Sequence, residues 1–93
     1  MKQLIWTDSA RIGLAEILDP FTADRPEFIA DALVQIGRLE RLLITSPGIG
    51  SPLDENGQRK LRVGRTPIIL SYRVDGAVLS IVRVHHSSQN WRK

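Results

Sequence analysis

The sequence predicts an α+β domain in which two N-terminal helices pack on one face of a small antiparallel sheet, in the order β-α-α-β-β-β. Three observations lead there. Apolar residues recur at helical spacing from residue 10 to residue 43, the repeat shortens to two after residue 58, and Asp75-Gly76 stands between the last two alternating runs, where a hairpin turn is expected. The 93 residues, 42% of them hydrophobic, suffice for a single domain spanning 1–93. At that size the natural limit is one layer of helices on one sheet.

Gln3-Leu4-Ile5-Trp6 reads as a short strand running into a helix cap at Thr7-Asp8. Ala10, Leu14, Ile17 and Leu18 then fall at i, i+4, i+7 and i+8, one face of a first helix that stops near Asp19-Pro20. Asp24 is the expected cap of a second helix, with Pro26 in its first turn and Glu27 at the positive end of the dipole. Ile29, Leu33, Ile36, Leu39 and Leu43 carry its apolar face to Ser46-Pro47, and residues 46–57 read as a turn-rich loop.

Strands are expected at 59–63, 67–74 and 77–86. A two-residue turn at Asp75-Gly76 sets Val74 opposite Ala77, Tyr72 opposite Leu79 and Leu70 opposite Ile81. The face beneath the helices is then Ile68, Leu70, Tyr72, Val74, Ala77, Leu79 and Ile81, with Tyr72 a core aromatic. The other face carries Ile69, Ser71, Arg73, Val78, Ser80, Val82, Val84 and His86. Half apolar and otherwise polar, it suits a docking surface better than a solvated one.

The formal net charge of +3 is unevenly spread. Residues 1–57 hold 5 basic and 9 acidic side chains, whereas residues 58–93 hold 8 basic ones against the single carboxylate of Asp75. The basic set Arg59, Lys60, Arg62, Arg65, Arg73 and Arg83, with Arg92 and Lys93, attracts phosphates or an acidic protein, or else protects a strand edge. His85 and His86 suit proton transfer near neutral pH, but adjacent strand residues point to opposite faces and cannot chelate one metal. Trp91 either folds back on the core or serves as an interaction anchor.

Phosphate-binding glycine loops, a nucleophile elbow and carboxylate pairs in the basic half are missing, which speaks against a self-contained hydrolase, and no cofactor or metal is implied. The absence of cysteine suits a reducing compartment. No run approaches a signal-peptide core or the roughly 20 apolar residues of a membrane span, so the expectation is a cytoplasmic protein with no membrane partner.

Thr66-Pro67-Ile68-Ile69-Leu70-Ser71-Tyr72-Arg73-Val74 and Ile81-Val82-Arg83-Val84-His85-His86, followed by Gln89-Asn90-Trp91, resemble ParE-type members of the RelE/ParE toxin superfamily, and the likeness in element order covers the whole chain. The resemblance implies a toxin of a type II toxin–antitoxin pair, of the kind associated with plasmid stabilisation. It would be held in a hetero-oligomer by a cognate antitoxin whose acidic C-terminal segment wraps it. It further implies one of two targets, DNA gyrase for the ParE branch or ribosome-bound mRNA for the RelE branch. As an endoribonuclease the chain would use Lys60, Arg62, Arg73 and His85 or His86. As a gyrase poison it would need no catalytic residue, and Arg59, Lys60, Arg62, Arg65, Arg73, Arg83, His86 and Trp91 would meet target or antitoxin. Lys60 and Arg62 fall where the RelE branch has its strand lysines, but that branch's central-strand arginine falls at Ile69 and its arginine after the last strand near Ser87. The loss of a phosphate-stabilising arginine favours the gyrase reading.

Overall fold

The computed structural model describes residues 2–53 and 56–88. In chain order the elements are β1 (Gln3–Trp6), α1 (Asp8–Leu18), α2 (Phe21–Asp24), α3 (Pro26–Thr45), β2 (Ser51–Pro52), β3 (Gln58–Arg62), β4 (Ile68–Asp75) and β5 (Val78–His86). Thr7 caps α1 as expected, its hydroxyl accepting the Ala10 N–H at 3.1 Å, while Asp8 sits at the positive end of the helix dipole.

The linker before the long helix differs from the sequence expectation. Residues 21–24 form a helical turn of their own, and Asp24 ends it rather than capping the next helix. The N-cap of α3 is Arg25, which makes no side-chain capping bond, with Pro26 at the first helical position. Packing supplies the missing order: the Phe21 and Phe28 rings lie 4.5 Å apart, and the Arg25 guanidinium sits 6.0 Å above Phe28. Farther along α3, Ile36, Leu39 and Leu43 of the predicted stripe are buried in the core, but Leu33 is half exposed and Ala32, outside the predicted stripe, is buried instead.

The sheet has five strands in the order β1-β5-β4-β3-β2. It is mixed rather than wholly antiparallel, because β1 runs parallel to β5. No hairpin joins those two strands, so no turn residue announces their relative direction. A strand the sequence did not predict, β2, is only two residues long and lies inside the expected 46–57 loop, where Ser51 pairs with Lys60 and Pro52 with Arg59. The loop is pinned from within the core. The buried Tyr72 hydroxyl accepts the Gly50 N–H at 2.9 Å and donates to the Pro47 carbonyl at 2.8 Å.

Between β4 and β5 the turn is one residue later than expected. Asp75 pairs with Val78, so Gly76 and Ala77 are the central residues. Gly76 has φ +58°, and no described non-glycine residue has positive φ. That is the arrangement of a type II′ turn, which needs glycine only at its first central position, rather than the type I′ form in which Asp75 would take the left-handed conformation. Val74 therefore faces Leu79 and Tyr72 faces Ile81.

Beyond that point a β-bulge changes the alternation. Ser71 pairs with Arg83 although Tyr72 pairs with Ile81, so Val82 is the extra residue. Leu70 then faces Val84, Ile69 faces His85 and Ile68 faces His86. Val84, expected on the open face, is buried under the helices with Leu79 and Ile81, and Ala77 is an exposed turn residue rather than part of the core face.

Candidate functional site

The bulge decides what the open face of the sheet carries. Three cross-strand rows can be read from the register: Gln58–Arg73–Ser80, Lys60–Ser71–Arg83 and Arg62–Ile69–His85. Lys60, Arg62, Arg73, Arg83 and His85 are thereby gathered on one surface. Neighbouring strands lie about 4.8 Å apart, so Lys60 and Arg83 flank Ser71 with their backbones about 10 Å from each other. Ser71 is buried, Ile69 half-buried, and Arg62, Arg73 and Arg83 exposed. The centre of the face is uncharged, and its periphery is cationic.

Local contacts set the strength of that charge. Arg73 is paired with Asp75 at 3.1 Å, an exposed ion pair that offsets part of its field. The Arg62 guanidinium donates to the Thr66 carbonyl at 3.2 Å, which orients it along the β3–β4 turn. His85 is 4% exposed, and its pKa is lowered to about 4, first by burial and then by the Arg83 and Lys60 charges. At neutral pH it is an uncharged imidazole within a cationic ring.

Three other described residues expected to meet target or antitoxin, Arg59, Arg65 and His86, lie off this face. Arg59 faces the helix side, and its guanidinium donates to the Gly50 carbonyl at 2.7 Å, holding the 46–53 loop. Arg65 is exposed in the β3–β4 turn, at a cleft shared with Phe28, Asp31 and Gln35. His86, expected on the open face, is on the helix side because of the bulge. There it lines a recess with Gly13, Ile17 and Phe21, and its Nδ1 accepts the Ser88 N–H at 3.1 Å. Trp91, Arg92 and Lys93 lie outside the described residues. Among the described residues no three His, Asp or Glu side chains gather as metal ligands would, and no helix is long and apolar enough to cross a membrane.

A second surface had no counterpart in the sequence pattern. Between α1 and α3 runs a groove of about 530 Å³ lined by Trp6, Leu14, Leu18, Leu33, Ile36 and Gly37, with Leu33 half exposed. The Trp6 indole N–H donates to Glu40 at 2.7 Å, fixing the floor of the groove to one wall. The periodicity of α1 and α3 signalled apolar faces but could not show that the two helices stand apart.

A mixed sheet covered on one side by helices is a fold shared with solved toxin structures. Residues 4–91 match the family described as the ParE toxin of the type II toxin–antitoxin system parDE, and the chain belongs to that family. It is the toxin component of such a module. The Sinorhizobium fredii protein Y4kP is 31% identical over 90 residues, covering 97% of this chain and 93% of that one. A structure of the chromosomal ParDE system from P. aeruginosa superposes with a TM-score of 0.75 at 29% identity, covering 92% of this chain and 96% of the other. The YoeB/ParE toxin from Agrobacterium tumefaciens shares the fold, with a TM-score of 0.62, 22% identity and coverage of 90% and 96%.

Proposed function

We propose that the protein is a ParE-like inhibitor of DNA gyrase that acts by binding, and that a cognate antitoxin neutralises it by covering the same molecule. The observation that carries this reading is the make-up of the open face: cations at the rim, Ser71 and Ile69 at the centre, and a histidine that is neutral at physiological pH. RNA cleavage calls for charge at the centre, where the phosphate would sit, and for an acid or base with a pKa near the working pH. Ile69 supplies no charge, and His85 titrates near 4, well below that range. An acidic protein surface meets these groups without needing either property.

The antitoxin reading is supported by the ParDE system among the relatives and by two complementary surfaces. A segment with an acidic stretch suits the open face, and its apolar side chains suit the α1–α3 groove. A supercoiling assay with purified gyrase tests the target. Inhibition at micromolar toxin, relieved by the antitoxin, is expected. Unaffected gyrase together with codon-phased cuts in translated mRNA would replace this reading with the endoribonuclease one.

A further inference from the structure

The bulge in β5 is gripped by α1 at two points. Thr7 Oγ1 donates to the carbonyl of the extra residue, Val82, at 3.1 Å, while the same oxygen accepts the Ala10 N–H and the Thr7 N–H donates to the Ile81 carbonyl at 3.1 Å. Six residues further on, Gly13 lies directly over the strand: a β-carbon there would stand 2.3 Å from the Val84 carbonyl oxygen, so only glycine permits this approach. The two contacts bracket the place where the alternation of β5 reverses.

Without the extra residue in its place, strict alternation from Leu79 and Ile81 would turn Arg83 and His85 toward the helices and Val84 and His86 outward. Hydrophobic pattern alone requires an irregularity somewhere between Ile81 and Val84, since an arginine under the helices would be costly. It does not say at which residue the irregularity falls. We propose that Thr7 and Gly13 are positioning residues: they fix the bulge at Val82 and so hold Arg83 and His85 in register with Lys60 and Arg62 on the open face. The functional weight of this lock rests on the reading of that face as the contact surface for target or antitoxin.

The residue at position 7 has two duties that other side chains separate. Serine can cap the helix and donate to the bulge. Aspartate caps equally well but has no proton to donate. Thr7→Ser is therefore expected to behave as the parent. Thr7→Asp keeps its helix content but loses amide protection across residues 82–85, weakens the Ser71–Arg83 and Leu70–Val84 cross-strand NOEs, and raises the His85 titration toward the ordinary histidine range. Gyrase inhibition falls up to about tenfold, the weight of one hydrogen bond.

Deleting Val82 in the Thr7→Asp background restores the face, because a regular strand then pairs Arg83 with Ser71 unaided. This also decides the matter should Thr7→Asp alone fail to fold. Unchanged protection and NOEs in Thr7→Asp, or no recovery on deleting Val82, would overturn the lock. A loosened bulge with full gyrase inhibition would support the lock and overturn instead the role given to the face.

Discussion

His85 is where sequence, burial and charge meet most closely. An unfolded chain binds a proton at this side chain near pH 6.5, whereas the folded protein resists until about pH 4. The unfolded state therefore holds more protons between those values. Stability is complete above pH 6.5, declines as the pH falls through that window, and levels off below about 4. The loss due to this group is on the order of 2–3 kcal/mol. Urea unfolding at pH 7.5 and pH 4.5 should show that extra decline in the parent and not in His85→Gln, where no proton is taken up. Tyr72 makes a different claim at the same scale. Its hydroxyl serves both the Gly50 N–H and the Pro47 carbonyl inside the core, so Tyr72→Phe should cost about 1–3 kcal/mol by urea unfolding, with the secondary structure unchanged by circular dichroism.

Among the elements, the β4–β5 hairpin depends on one backbone conformation. Gly76 has φ +58°, and a β-branched residue there should cost about 1–3 kcal/mol. Gly76→Val is accordingly expected to lower the melting temperature by roughly 4–8 °C per kcal/mol in a domain this small, as read by thermal unfolding. The sequence showed the existence of this hairpin and of α1, α3, β3 and β4, because glycine turns and apolar periodicity are local signals. What it hid was non-local. The type II′ register is one residue later because Asp75 stays in the strand. The extra residue at Val82 has no compositional mark, and its position depends on Thr7, 75 residues away in the chain. The same bulge moved Arg83 and His85 onto the open face and His86 off it. Arg59 is off the open face for a simpler reason: strand alternation already placed it on the side opposite Lys60, and its bond to Gly50 shows what it holds there.

For the molecule as a whole, the charge asymmetry visible in the sequence becomes a matter of sides. The basic half supplies the open face, and the two main helices form an apolar groove on the other. A partner that uses both would bind with a salt-dependent and a salt-independent part. Leu33→Glu should weaken antitoxin binding at any ionic strength, whereas raising salt should weaken contacts to the open face, both read by titration calorimetry. The central claim is that the open face, and not basic charge in general, is what inhibits gyrase. The most direct measurement compares supercoiling inhibition by Lys60→Glu/Arg83→Glu and by Arg65→Glu, with the fold of each checked by circular dichroism. A loss of at least about tenfold for the pair on the face, with Arg65→Glu close to the parent, is the predicted result. Equal potency for all three proteins, or an equal loss in both variants, would contradict it.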